Sequence, residues 1–318
     1  MRLPIPLLAT LAVAHAALAF GQPAPAVPAP RAAQASLTRQ QPVGQVQPVG
    51  HGQPVGHGQP IVQDQTVASK ATGRDMSYRI LLPAGYDSSP RRYPVLYLLH
   101  GLTGDYSDWD TRTHLVRHLA AYDLIVVMPD AGNSWYTNAG DPAQDKYEDY
   151  VASDLVADVD GKFRTIRTRH ARAVAGLSMG GYGAMKFGLK YPGTFVFAGS
   201  FSGALQAAHD KEFFARSKEW SAAFGKIMGP PGGPTRAAND IFALAEKADV
   251  ARLPYLYLDC GTDDGLLKAN REFVAVLQQR KIPYEYRELP GAHTWSYWDQ
   301  QLPQMLRVLA GHMAIERQ

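Results

Sequence analysis

At 318 residues and 46% hydrophobic content, the chain is long enough for one large domain or two small ones and can bury a sizeable core. Thirty-two basic residues stand against 29 acidic ones, and no Lys/Arg run concentrates the net charge of +3, which argues against a nucleic-acid partner. The single cysteine, Cys260, rules out an internal disulfide and leaves no thiol near the N-terminus for a lipid anchor.

In chain order, Arg2 precedes an apolar stretch from Leu7 to Leu18 that closes on Ala17-Leu18-Ala19. A positive end, a short apolar run and small residues describe a secretory signal peptide over 1–19, hence a periplasmic or secreted protein. The run is shorter than the roughly 20 apolar residues of a spanning helix, and Pro4, Pro6 and His15 interrupt it, so stable membrane insertion is not expected. Residues 20–65 are rich in Pro, Gln, Gly and Ala and carry a hexapeptide repeat, Gln47–Gly52 and Gln53–Gly58. Such a composition reads as a disordered linker, and His51 and His57 on it make a poor metal site.

The folded domain is expected over 66–318. Met76–Leu82, Tyr93–Leu99, Leu124–Met128, Ala171–Leu177, Thr194–Gly199, Tyr255–Cys260 and Tyr284–Leu289 read as strands. Between them Thr111–Ala121, Asp145–Phe163, Tyr182–Lys190 and Leu266–Arg280 read as helices, with a helical insertion at Lys211–Val250 and a closing helix at Trp298–Gly311. Strands alternating with helices predict a mostly parallel sheet covered on both faces, the α/β class.

The sharpest chemical signal is Gly176-Leu177-Ser178-Met179-Gly180, set where a strand runs into a helix. A G-x-S-x-G there is a nucleophile elbow: the serine backbone is strained so that its hydroxyl stands clear, and side chains at the flanking glycines would clash. A bare serine needs a base held by a third group. In this fold the order is Ser, then an acid, then His, each after a late strand. His293 follows Tyr284–Leu289, and the adjacent Asp263 and Asp264 follow Tyr255–Cys260. Only one of the two aspartates can orient the histidine, and the other could cap the next helix; chemistry alone leaves the choice open. The oxyanion donors fall on the backbone amides of Met179, after the nucleophile, and Leu102, in the His100–Gly104 loop. His100 reads as a structural holder of that loop.

The segments YPVLYLLHGLTGDYSDW, MPDAGNSWYTN, GLSMGGYGAM, LDCGTDDG and GAHTWSYW resemble the esterase family of esterase D-like proteins. That family includes S-formylglutathione hydrolases, short-chain and feruloyl esterases and mycolyltransferases. The resemblance runs from about Val67 to the C-terminus and implies the α/β-hydrolase fold, with Ser178 as nucleophile, His293 as base, and Asp264, three residues after Gly261, as acid. It implies Leu102 as oxyanion donor and Trp135 and Tyr136 as walls of the acyl pocket, for which plain packing is the competing reading. The expected activity is hydrolysis of a small-molecule or carbohydrate ester through an acyl-enzyme, with no metal or organic cofactor. Acyl transfer to a sugar or lipid alcohol, thioester hydrolysis on S-formylglutathione, and a binding protein on a dead scaffold are the alternatives. An exported chain fits a carboxylic ester better than a cytoplasmic thiol adduct.

Overall fold

The computed structural model describes residues 59–315 except 142, 144, 216 and 314, so the expected signal peptide and the hexapeptide repeat lie outside the described residues. An eight-stranded sheet forms the centre: β1 (Ile61–Ser69), β2 (Arg74–Leu82), β3 (Val95–Leu99), β4 (Ile125–Pro129), β5 (Arg172–Leu177), β6 (Phe197–Phe201), β7 (Tyr255–Gly261) and β8 (Tyr284–Leu289). Their order is β1-β2-β4-β3-β5-β6-β7-β8. The first two pairings are antiparallel and the rest parallel, as expected for a mostly parallel sheet.

The central parallel strands β3, β4 and β5 are buried along their whole length because both faces are covered, whereas the edge strand β8 is half-buried throughout. Along β3, Val95, Tyr97 and Leu99 enter one core while Leu96 and Leu98 enter the other. The helix Met179–Lys190 fills the first face with Tyr182, Met185 and Phe187. The closing helix Trp295–His312 fills the second with Leu302, Met305, Leu306 and Leu309. β5 sits between β3 and β6, so the elbow at its end emerges mid-sheet beside the loop after β3, while the loops after β7 and β8 reach it from farther along the same sheet.

The structure departs from expectation in several places; β6, for one, runs over Phe197–Phe201 and not Thr194–Gly199. The linker does not extend to residue 65, because β1 begins at Ile61 and pairs with β2 along its whole length. Helix 111–121 breaks into Asp108–Arg112 and Leu115–Leu119, since Thr113 takes an extended conformation (φ −133°, ψ 174°). The helix beginning at Tyr147 carries a π-helical stretch over Tyr150–Leu155 before continuing to Lys162. The closing helix starts at Trp295, three residues early, because the Thr294 side chain accepts from the Tyr297 amide. Among the described residues no helix is long and apolar enough to cross a membrane.

Candidate active site

Ser178 occupies the single residue between β5 and its helix, at φ 54° and ψ −114°. A non-glycine residue there stores strain of about 1–3 kcal/mol, which persists only if its surroundings impose it. They do. The Ser178 amide donates to the Phe201 carbonyl (2.9 Å), and its carbonyl accepts from the Tyr182 (3.1 Å) and Ala204 (3.0 Å) amides. Backbone also closes in on both glycines: a Cβ at Gly180 would lie 2.5 Å from the Leu99 carbonyl oxygen, and one at Gly176 would lie 2.6 Å from Gly180.

The loops after β7 and β8 are fastened to each other. The Thr262 amide donates to the Leu289 carbonyl (2.9 Å) and the Asp263 amide to the Gly291 carbonyl (2.8 Å). A Cβ at Gly261 would sit 2.2 Å from that Gly291 oxygen, so only glycine permits the approach. This pairing brings His293 over the elbow, with Nε2 3.0 Å from Ser178 Oγ and Nδ1 2.9 Å from Asp264 Oδ2. A carboxylate only accepts, so Nδ1 carries the proton and Nε2 is free to take one from the serine hydroxyl.

Asp264, and not Asp263, reaches the histidine: Asp264 is buried and Asp263 exposed. The expected split of duties between the two does not occur. Asp264 also receives the Leu266 amide on Oδ1 (2.8 Å), ahead of the helix Leu267–Gln279. Burial pushes its carboxyl up, but the His293 imidazole, the Leu266 amide and the Ser202 hydroxyl outweigh burial and hold it below the usual aspartate range.

The loop between β3 and the helix at Asp108 faces the serine. Leu102 lines a cleft of about 150 Å³ with Ser178, His293, Arg112, Trp295 and Trp298. Met179 opens the helix after Ser178, its side chain buried in the core and its amide at the positive end of the helix. His100 holds the loop from behind: Nδ1–H donates to the Gly101 carbonyl (2.8 Å) and Nε2 accepts from the Ala131 amide (3.0 Å). Burial pushes the His100 pKa down, which keeps the neutral tautomer this pattern requires.

Trp135 and Tyr136 do not line the cleft. Both are buried, and both lie at positive φ, 56° and 52°. The Trp135 ring packs edge-on against Tyr182, Phe213, Phe214 and Phe224. The Tyr136 hydroxyl donates to the His100 carbonyl (2.9 Å) and supports the loop from inside. The cleft walls that sequence reading missed are Trp295, Trp298 and Arg112. Trp298 stands edge-on to the His293 ring (4.9 Å between centroids), and the Arg112 guanidinium lies over Trp295 (5.4 Å). Trp295 and Trp298, two and five residues after His293, were visible as neighbours of the base; Arg112 gave no such signal.

A serine at a strained elbow, hydrogen-bonded to a histidine that an aspartate holds, defines an α/β-hydrolase site built for acyl transfer to and from Ser178. The family model described as "Putative esterase" matches residues 69–309. An acetyl esterase of Caldicellulosiruptor saccharolyticus is 30% identical over 222 residues, covering 67% of this chain and 82% of that protein. Esterase Rv1288 of Mycobacterium tuberculosis is 32% identical over 251 residues, 71% of this chain; the chain spans about half that relative, 54%. Among solved structures, the fluorophosphonate-binding serine hydrolase F of Staphylococcus aureus superposes with a TM-score of 0.71 at 26% identity, over 79% of this chain and 99% of that one. The chain belongs to the Esterase family and is a carboxylic ester hydrolase.

Proposed function

We propose that the chain hydrolyses a short-chain ester outside the cytoplasm through a covalent acyl-enzyme on Ser178. The observation that carries the mechanism is the relay itself, His293 within hydrogen-bond reach of both Ser178 Oγ and Asp264 Oδ2. Ser178 Oγ attacks the acyl carbon as His293 Nε2 takes its proton, and Asp264 holds the resulting imidazolium. The Leu102 and Met179 amides receive the oxyanion, each contributing about 3 kcal/mol of barrier lowering. The tetrahedral adduct collapses, and the imidazolium protonates the departing alcohol. Water, deprotonated by His293, then attacks the acyl-enzyme and releases the acid.

A short acyl group is supported by the cleft, whose volume of about 150 Å³ is bounded by two tryptophans, and by the acetyl esterase among the relatives. The location is supported by the Arg2 and Leu7–Leu18 pattern. Purified protein should cleave p-nitrophenyl acetate faster than the p-nitrophenyl esters of longer acids. Ser178→Ala should abolish turnover with an unchanged circular dichroism spectrum; turnover that survives would remove Ser178 from the role.

A further inference from the structure

We propose that Asn133 is a positioning residue for the oxyanion donor at Leu102, an inference that rests on the esterase reading of Ser178. The Leu102 N–H shares a peptide unit with the Gly101 carbonyl, and in a planar trans peptide the two point in opposite directions. That carbonyl accepts from His100 Nδ1–H (2.8 Å) and from the Gly104 amide (3.2 Å). The plane is therefore fixed with the Leu102 N–H directed away from both donors.

One fixed plane does not fix a loop. The next peptide unit joins the Leu102 carbonyl to the Thr103 N–H, and that N–H donates to Asn133 Oδ1 at 2.7 Å. Thr103 lies at φ 65°, in the left-handed region that a β-branched residue adopts only when its surroundings demand it. Without the Asn133 acceptor, Thr103 gains by rotating back toward negative φ, and the rotation carries Leu102 with it. With both planes tied, the backbone of residue 102 has no free torsion. Asn133 is itself anchored from its own side, since the Ala131 amide donates to His100 Nε2 and the Ser134 amide turns back to the Ala131 carbonyl (3.2 Å).

Asn133 is exposed and does not line the cleft that holds Ser178, so it reaches the reaction through the loop and its replacement opens no core cavity. The measurement is steady-state hydrolysis of p-nitrophenyl, phenyl and ethyl acetate by wild type, Asn133→Ala and Asn133→Asp, with melting temperatures as a check on folding. In Asn133→Ala, kcat should fall roughly tenfold, short of the 10²–10³-fold that follows removal of an oxyanion donor, with KM within about twofold. The factor should be the same for all three alcohols, because every ester forms the same oxyanion. Asn133→Asp keeps an acceptor oxygen for Thr103 and should lie between alanine and wild type. An unchanged kcat in Asn133→Ala overturns the inference. So does a loss confined to KM or to one alcohol, which would mean that Asn133 touches the substrate, or an aspartate no better than alanine. A wild type inactive on every ester, or an active Ser178→Ala, would instead sink the esterase reading and take this inference with it.

Discussion

The elbow at Ser178 and the segment Trp135-Tyr136 both hold non-glycine residues at positive φ, but by different means. At the elbow, backbone imposes the strain: Leu99, His100 and Gly180 main-chain atoms crowd the glycines, and three main-chain hydrogen bonds grip Ser178. At Trp135-Tyr136, side chains impose it. An aromatic cluster encloses Trp135, while the buried Lys186 ammonium donates to the Tyr136 carbonyl (2.5 Å) and Thr137 Oγ1 (2.7 Å) and pairs with Glu148 (3.0 Å). Strain held by backbone leaves a short signature in sequence, a glycine on either side. Strain held by side chains draws on residues far along the chain and leaves none.

The comparison can be broken at its strong end first. Gly180→Ala forces a Cβ into main-chain oxygens that cannot yield, so a loss above about 4 kcal/mol, or no soluble protein, is expected in urea denaturation. A Gly180→Ala protein of near wild-type stability would mean the elbow is not backbone-enforced. Trp135→Ala removes the centre of the aromatic cluster and should cost about 3–5 kcal/mol, reduced where neighbours collapse inward. Here a folded protein is expected, with a lower denaturation midpoint and lower esterase activity, because Tyr136 supports the His100 carbonyl.

The smallest expected effect concerns His100, the joint between the two regions. Its native pKa lies below 6.5, so beneath pH 6.5 the unfolded chain takes up a proton that the native site refuses. Its contribution to stability is fully present above pH 6.5 and is lost as pH falls through the native value, with a slope of no more than about 1.4 kcal/mol for each pH unit crossed. Histidine ring NMR should find the His100 signals still neutral at pH 6.5. A ring half-protonated at or above that pH would contradict the neutral tautomer that links Gly101 to Ala131.

How much of this was legible follows the same division. The central parallel strands β3, β4 and β5 announced themselves as apolar runs because both their faces are buried. Ser178 was located by its G-x-S-x-G motif, and His293 and the Leu102 loop by the strands they follow. β1 escaped because it is an edge strand: Gln63 and Gln65 occupy half-buried positions where alternation predicts apolar residues, so it read as linker. The choice between Asp263 and Asp264 depended on which side chain the Thr262 and Asp263 backbone pairings turn inward, a matter of loop geometry. For Trp135 and Tyr136 the readings as pocket wall and as plain packing stayed level, because an aromatic pair beside a catalytic loop looks alike in sequence whether it faces substrate or core.

Asp264 serves two neighbours with its two oxygens, and this ties inheritance of activity to inheritance of the fold. A substitution that strips the carboxyl, such as alanine, silences the relay and also leaves the Leu266 amide without its acceptor. Asparagine keeps an oxygen for that amide while its side chain can no longer act as an anion toward His293. Of the two changes, only the second gives a silent descendant with the Leu266 contact intact. The relay thus requires a carboxylate at this position, whereas the Leu266 amide requires only an acceptor oxygen, so once activity is lost asparagine is tolerated where alanine is not.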